Sequence, residues 1–305
     1  MQNKTSNLET RSYMNKASKF KKLCVFSSVF LCWVSASLFA EAAATPLPVC
    51  PPPAPAGGKR ILKSEVYKGM PYGTGEVAHY TAHWSGIHAG DHTMRVLEPV
   101  LREGSWHQVF TSEAITGDWF KGIYTARYLT KAYCFPVTFG ASWFHGSEYR
   151  KPPLFSEFKE EKSFSFLQQV CSVKEEIQTN DKKKEYEEHF LERGATDVLS
   201  GFYKLRTATF ELHKSIEILA YSSAKNWTLQ AEPVLFETLA LPIGKIEAVK
   251  LKMHTYMGKE LQQKGDVYTW IATKHPNHPL LQVEGKVKWG SVRMVLDKYT
   301  PGVTK

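Results

Sequence analysis

Apolar and polar residues alternate with a period of two along much of this 305-residue chain, whereas helical periodicity is rare. The alternation is clearest in residues 78–84, 249–257 and 281–287. A period of two is typical of strands that bury one face and expose the other to water. Turn-forming clusters separate the alternating runs at intervals of about ten residues. The chain is therefore predicted to be mainly β, with a large curved antiparallel sheet that forms a barrel or half-barrel.

Two segments depart from this alternation, and we expect one or two short helices beside the sheet. Residues 196–205 predict a helix that lies against the sheet, with Thr196 or Asp197 as its N-cap. Its apolar stripe consists of Val198, Leu199, Phe202 and Leu205. The charged run 180–193 is typical of a solvated loop or a surface helix.

The N-terminus has the pattern of an export signal. Basic residues precede the apolar run 23–40, and small residues follow it, which is the order found in secretory signal peptides. We predict a signal peptide, with its signal helix, over 1–44, a Pro-rich linker over 45–58 and a single β-rich domain over 59–305. The predicted location is the periplasm. An uncleaved inner-membrane anchor and a lipoprotein acylated at Cys50 are the alternatives.

The charge balance gives no sign of a nucleic-acid partner, and the hydropathy limits how the chain can contact a membrane. The chain has 39 basic and 30 acidic residues, a net charge of +9, but residues 1–44 hold six of the basic and only two of the acidic ones. The remaining surplus is small and scattered, so no nucleic-acid partner is predicted. A single apolar run approaches membrane-spanning length. Membrane contact is therefore expected only through the signal or anchor segment.

Three cysteines follow the predicted signal peptide: Cys50, Cys134 and Cys171. An odd number in an exported protein allows one disulfide and one remaining thiol. We expect Cys134 to pair with Cys171, because both lie in the folded region while Cys50 lies in the linker. Three unpaired cysteines are the alternative. The chain has no Cys-x-x-Cys motif, so neither a structural zinc site nor a thioredoxin-type site is indicated.

The motifs of common catalytic and metal sites are absent from the sequence. There is no Gly-x-Ser-x-Gly, no His-Glu-x-x-His and no phosphate-binding loop. Four histidines fall within fourteen residues, at His79, His83, His88 and His92. Residues four apart on a strand are separated by about 13 Å, too far to share one ion. We therefore predict no catalytic residue, no metal and no cofactor.

Aromatic residues are concentrated between Trp119 and Phe158, where twelve occur in forty residues. Phe120, Tyr124 and Tyr128 share one face if that segment is extended. The cluster is either the core of a curled sheet or the wall of an apolar ligand cavity. Under the second interpretation, Tyr124 and Tyr128 are candidate ligand-binding residues.

Several segments together resemble a known family. They are Gly75-Glu76 before a strand, residues 84–90, residues 197–206 and Trp270 ahead of a Pro-containing turn. Over residues 75–299 the chain resembles the exported bacterial family catalogued as domain of unknown function 3108. The most specific segment is Asp-Val-Leu-Ser-x-x-Tyr-x-x-Arg at 197–206. The resemblance implies a mostly antiparallel curved β structure in a Gram-negative host, and it implies no activity.

The family-specific segment supplies further candidate binding residues. Asp197 can cap the predicted helix, and Arg206 can neutralise carbonyls or a carboxylate near its last turn. A structural role and a ligand contact are both open for these side chains. The remaining candidates are Ser200, Tyr203 and Trp270.

The predicted function is that of an exported, non-enzymatic protein that binds an apolar or lipid-like component of the cell envelope. Two alternatives remain. One is an envelope scaffold or assembly factor that binds protein partners through a sheet edge or exposed aromatics. The other is a hydrolase whose carboxylates are scattered in sequence but close in space, so the question of enzyme activity stays open.

Overall fold

The sheet that the alternation predicts dominates the structure, a computed structural model that describes residues 50, 61–122, 124–152, 156–262, 265–287 and 290–303. Within these residues sixteen strands belong to one sheet. Their bounds are β1 Val77–Trp84, β2 Ile87–Arg102, β3 Ser105–Thr116, β4 Thr125–Cys134, β5 Ala141–Lys151, β6 Phe158–Leu167, β7 Ser172–Thr179, β8 Glu185–Phe190, β9 Thr196–Asp197, β10 Ile216–Ser222, β11 Lys225–Leu241, β12 Gly244–Met257, β13 Glu260–Leu261, β14 Val267–Ala272, β15 Leu280–Val287 and β16 Gly290–Thr300. A 3-10 turn at Lys63–Glu65 and two α-helices, α1 Asp118–Lys121 and α2 Val198–Leu205, complete the fold.

The strands form an open, mostly antiparallel sheet. Strands β1 to β8 pair in sequence order, and β16 then pairs with β1. From β16 the order continues through β15, β14, β12, β11 and β10 to β9, while β13 pairs only with β12. Strand β9 runs parallel to β10. The edges are β8 and β9, so the sheet is not closed, and the predicted mainly β half-barrel is confirmed.

The sheet curves around helix α2. This helix contacts β3 and β4 as well as β9 and β10, although these two pairs of strands are far apart in the order of the sheet. A flat sheet could not bring both pairs to one short helix. We call the face that holds α2 the concave face. Alternate residues of β4 project from it, and they are Ala126, Tyr128, Thr130, Ala132 and Cys134.

Helix α2 forms where the sequence predicts it. Asp197 is the N-cap, and its side chain accepts a hydrogen bond from the backbone N–H of Ser200. Val198, Leu199 and Leu205 are buried, and Phe202 is partly buried. This apolar stripe packs against the sheet, as a short helix needs in order to be stable.

One buried glutamine joins the chain before edge strand β9 to strand β5 across the opening of the half-barrel. The amide nitrogen of Gln168 donates to the carbonyl oxygens of Ala141, at 2.8 Å, and Ala195, at 3.0 Å. The side-chain oxygen of Gln168 accepts from the backbone N–H of Gly194 at 2.9 Å. The N–H of Ala141 also donates to the carbonyl of Ala195. These bonds hold the chain that precedes edge strand β9 against β5.

One local prediction is wrong, and the condition attached to another is not met. The charged run 180–193 contains edge strand β8, because Glu185–Phe190 pairs with β7 along its whole length. Residues 118–121 form helix α1, so Phe120 does not share an extended strand face with Tyr128. Pairing with β7, which the sequence does not display, decides the first conformation, whereas the second is a local helical turn.

The predicted disulfide is also wrong. Cys171, in the turn between β6 and β7, pairs with Cys50, and their Cα atoms lie 5.5 Å apart. Cys134 is a free thiol on the concave face, completely buried beneath α2. Burial raises the pKa of Cys134, and so does the nearby charge of Asp197. Because Cys50 lies in the Pro-rich linker, the sequence did not indicate that it would lie beside this turn.

The predicted signal peptide and most of the linker lie outside the described residues. Among the residues that are described, no helix has the length and apolar character needed to cross a membrane.

The Cys50–Cys171 disulfide should stabilise the fold measurably, because it joins residues 121 positions apart. Cys50→Ser is expected to lower the free energy of unfolding by about 2–5 kcal/mol. Reductant should destabilise the native protein and leave the variant unaffected, as measured by urea unfolding with and without dithiothreitol. Cys134→Ala is the control and should still respond to reductant. A Cys134→Ala variant that no longer responds would contradict the pairing.

Candidate functional site

A buried arginine cluster lies where helix α2 ends. The Arg206 guanidinium binds the Glu76 carboxylate through two bonds, with Nη1 to Oε1 at 2.6 Å and Nη2 to Oε2 at 2.9 Å. Two further N–H groups, on Nε and Nη2, donate to the carbonyls of His278, at 3.0 Å, and Asn277, at 2.8 Å. The Tyr299 hydroxyl donates to Glu76 at 2.8 Å. The ion pair therefore joins α2 to the start of β1, the β14–β15 turn and β16.

Aromatic rings enclose the guanidinium of Arg206. The ring centroids of Tyr72 and Tyr203 each lie 5.1 Å from its central carbon. Tyr203 also stacks on Phe110 of β3 with ring centroids 3.8 Å apart. Burial lowers the pKa of Arg206, but the Glu76 carboxylate together with Tyr203 and Tyr299 raises it by more, so the guanidinium stays charged. With both charges paired and sealed from water, the arrangement performs the structural role left open for Arg206 and Tyr203.

The N-terminal end of α2 is equally closed. Asp197 and Ser200 are buried, and the Ser200 hydroxyl donates to Asp197 Oδ2 at 2.5 Å. Burial raises the pKa of Asp197 to about 6, while the hydrogen bonds from Ser200 oppose that rise. Both side chains serve to begin the helix inside the half-barrel.

Trp270 lies apart from this helix. Its indole N–H donates to Glu237 on β11 at 2.7 Å, and the Lys250 ammonium lies 5.0 Å from its ring centroid. These contacts belong to the C-terminal half of the sheet. The structure thus brings Asp197, Ser200, Tyr203 and Arg206 together on α2 but does not bring Trp270 to them.

The part of the concave face beyond α2 is polar. Tyr128 on β4 faces Glu148 on β5 and hydrogen bonds to it. Glu148 also pairs with Arg150. On β6, Lys162 pairs with Glu160 at 2.9 Å. We call these five side chains the polar patch. Register places them on one face, because Glu148 lies opposite both Tyr128 and Glu160.

Burial affects the charges of the polar patch. It raises the pKa of Glu148, and the Arg150 guanidinium acts in the opposite direction. The side chains of Glu148 and Arg150 are each about three-quarters buried, whereas that of Lys162 is 38% exposed. The patch therefore offers a partly desolvated surface with both signs of charge.

Aromatic rings adjoin the polar patch on the same face. Phe144 on β5 lies opposite Phe164 on β6, with ring centroids 5.4 Å apart. Tyr221 on β10 closes this group with its ring 6.2 Å from that of Phe164. Between the aromatic pair and the charges, Gly146 contributes no side chain. Along strands β5 and β6, the concave face thus changes from aromatic side chains to charged ones.

A third group occupies the open edge of the same face. Glu175 on β7 lies directly opposite Glu187 on β8, and His189 is the next inward residue on β8. Burial raises the pKa of Glu175, whereas Lys162 and His189 lower it. This Glu-Glu-His group is the part of the described structure whose side chains could hold a metal ion.

The predicted aromatic wall is divided between two faces. Tyr128 projects from the concave face, and Tyr124 precedes β4 in the segment after α1. Tyr133 and Trp143 lie on the opposite face, with ring centroids 4.8 Å apart. The density of aromatics in the sequence therefore does not translate into one continuous apolar surface.

Sequence reasoning missed most of the concave charges. The sequence did not allow strands β5, β6 and β7 to be assigned individually. Their inward-facing polar residues include Glu148, Lys162 and Glu175. Glu187 and His189 were hidden in the charged run. Period-two spacing of 185, 187 and 189 could have indicated one strand face, but pairing with β7 was needed to show which residues they meet.

Removal of the Arg206 side chain should destabilise the fold strongly. Arg206→Ala leaves Glu76 buried without its partner, so the free energy of unfolding should fall by about 3–5 kcal/mol. Adding Glu76→Gln to Arg206→Ala should recover part of that loss, and urea unfolding of the native protein and both variants measures it. Arg293→Ala, which breaks the exposed pair with Glu284, is the control and should change stability by about 0.5 kcal/mol or less. Equal effects of Arg206→Ala and Arg293→Ala would argue against the structural role.

The raised pKa of Asp197 predicts a pH dependence. The folded protein keeps a proton on Asp197 up to about pH 6, whereas the unfolded chain releases it near pH 4. The contribution of Asp197 to stability should therefore fall by about 1–3 kcal/mol as the pH rises through this window. Asp197→Asn should remove that fall, measured as the difference in unfolding free energy between variant and native protein at pH 4 and 7. Asp181→Asn, at an exposed turn, should leave the profile unchanged.

The solved structures that this chain resembles share little sequence with it, and their TM-scores to it are below 0.5. A β-barrel-like protein of the DUF1849 family from Brucella abortus has a TM-score of 0.47 and 8% identity, covering 74% of this chain and 97% of its own. A predicted exported protein with a YmcC-like fold from Bacteroides fragilis has a TM-score of 0.32 and 12% identity, covering 76% and 98%. A predicted lipoprotein from Parabacteroides distasonis has a TM-score of 0.31 and 11% identity, covering 76% and 99%.

Family membership follows from the sequence itself. No curated protein matches the chain at a significant level. A family model described as a protein of unknown function, DUF3108, matches residues 79–297. That range runs from the first strand to the last and includes α2, with the Asp197 to Arg206 segment on which the resemblance was based. The chain therefore belongs to the DUF3108 family.

Proposed function

We propose that this protein is exported to the cell envelope, where it binds an amphiphilic molecule on the concave face without transforming it. The order of basic, apolar and small residues at the N-terminus supports export. The Cys50–Cys171 disulfide supports the same location, because disulfides persist in oxidising compartments such as the periplasm.

The change from aromatic to charged side chains along β5 and β6 carries the ligand proposal. Phe144 and Phe164 form its apolar end, and Glu148, Arg150 and Lys162 form its charged end. Binding sites for small molecules combine apolar walls with a few polar groups that fix orientation. An amphiphile would place its apolar part against the Phe144 ring, which covers Gly146, and its head group against the charges.

Docking of a protein strand at the sheet edge is the less favoured function. Edge strand β8 carries Glu185, Glu187 and Glu188. Charged side chains on an edge strand oppose pairing with another chain. The structure of β8 therefore gives less support to a scaffold that recruits partners by strand addition than to a ligand on the concave face.

The ligand proposal predicts that Lys162 contributes to retention of the amphiphile. The full-length gene should be expressed in its own host, and the protein should be purified in mild detergent for native mass spectrometry and lipid extraction. Lys162→Met should lower the bound fraction, with affinity reduced about tenfold, because it removes a charge-assisted contact. Lys159→Met is the matched control, since Lys159 is a lysine on the other face of the same strand.

Two results would contradict the proposal. One is native protein that carries no small molecule from its host envelope. The other is equal loss of the molecule in both lysine variants. Reproducible crosslinks from β8 to another envelope protein, without a bound small molecule, would instead favour the scaffold.

A further inference from the structure

The Glu-Glu-His group at the open edge has the geometry of an ion site. His189 Nε2 lies 3.3 Å from Glu175 Oε2 and 3.1 Å from Glu187 Oε2. Ligands held tetrahedrally at 2.0–2.2 Å from Zn²⁺ are separated by about 3.4 Å. The ligand atoms of the three residues lie within 4.8 Å of one another. One small cation between them could therefore contact all three.

Hydrogen bonding within the group does not explain this geometry. His189 Nε2 is buried and forms no hydrogen bond of acceptable angle with any described residue, although two carboxylate oxygens are close. A ring nitrogen carries one proton at most, so it cannot satisfy both carboxylates. Glu175 and Glu187 also face each other directly across β7 and β8. Like charges in that position destabilise a sheet, and either a metal ion or a protonated His189 would neutralise them.

A buried hydroxyl provides an independent observation. Tyr221 is 2% exposed, and its hydroxyl has no hydrogen-bond partner within the described part of the chain. The Tyr221 ring packs edge-on against Phe164 of β6 at 6.2 Å, and Phe164 lies directly opposite Glu175 on β7. Burial raises the pKa of Tyr221, and the charges of Glu175 and Glu187 raise it further. Buried hydroxyl groups without a partner are rare in folded proteins. An ion, or a water molecule bound to an ion, would supply the missing partner of the Tyr221 hydroxyl.

We propose that Glu175, Glu187 and His189 bind a divalent transition-metal ion, with Zn²⁺ as the best fit, beside the Tyr221 hydroxyl. Imidazole favours zinc and its neighbours over calcium or magnesium, and carboxylates complete such sites. Three protein ligands leave a coordination position for water or for Tyr221. The ion would join β7 to edge strand β8.

The surroundings allow an ion to enter and balance its charge. Glu175 is buried, whereas Glu187 is 54% exposed, so the site opens to solvent on the side of β8. Lys162 on β6 lies diagonal to Glu175, and its positive charge acts on that carboxylate. With a neutral imidazole, the two carboxylates and Zn²⁺ sum to zero charge. Lys162 then remains free to pair with Glu160.

Zinc titration of matched variants tests the proposal. The protein expressed from its full-length gene, without a polyhistidine tag, should be stripped with chelator and titrated with Zn²⁺ by calorimetry. We expect one ion per chain. His189→Ala and Glu187→Gln should each weaken binding at least about tenfold, since even residues behind metal ligands change affinity by about that factor. Glu188→Gln is the control, because Glu188 lies on the other face of β8 and contacts Ser172.

Measurements of structure distinguish a variant that lacks one metal-binding side chain from a variant that does not fold. Glu187 is more than half exposed, so Glu187→Gln should keep the native melting temperature in the presence of chelator. X-ray absorption of the zinc-loaded protein should show one imidazole and at least two oxygen ligands. Absence of Zn²⁺ binding at millimolar concentration would overturn the proposal. An equal loss of affinity in Glu188→Gln and Glu187→Gln would overturn it as well, since it would indicate adventitious surface binding.

Discussion

The buried ion pair between Arg206 and Glu76 fixes how the half-barrel is assembled. It connects the end of α2 to the residue that precedes β1, and through backbone carbonyls to the turn between β14 and β15. Burying two charges costs several kcal/mol for each ion, about the total stability of a small domain, unless all their bonds are made. A shift of α2 would leave the Glu76 carboxylate buried without its partner. The position of the helix is therefore set by electrostatics as much as by apolar packing.

The position of α2 in turn divides the concave face. Where the helix lies, Tyr203 stacks on Phe110, and the interior is closed by aromatic and aliphatic contacts. Where the helix does not reach, strands β5 to β8 present charged side chains that range from the buried Glu175 to the half-exposed Glu187. A strand that projects apolar residues at one end and acids at the other has no simple amphipathic pattern. Both proposals, for an amphiphile and for a metal ion, concern this second region because its polar groups are not used to hold the fold.

Local patterns in the sequence predicted the strands and the helix well. Segments 78–84, 249–257 and 281–287 lie in β1, β12 and β15, and Asp197 caps α2. The predictions that failed concerned residues whose partners are distant in the chain. Cys171 pairs with Cys50 across 121 positions, and the charged run 180–193 contains a strand only because β7 is beside it. Arg206 was identified as a candidate binding residue, but its ion-pair partner, Glu76, is 130 residues away in the sequence.

The sequence by itself determined the class of fold, the start of α2 and membership of the DUF3108 family. Those properties depend on residue period, on a helix cap three residues from its partner and on a specific motif, all of which are local. Only the tertiary structure decided which charges are buried together: Arg206 with Glu76, Glu148 with Arg150, and Glu175 and Glu187 with His189. The physical reason is that strand register and the curvature of the sheet set these distances, and a shift of one residue would turn each inward side chain to the opposite face.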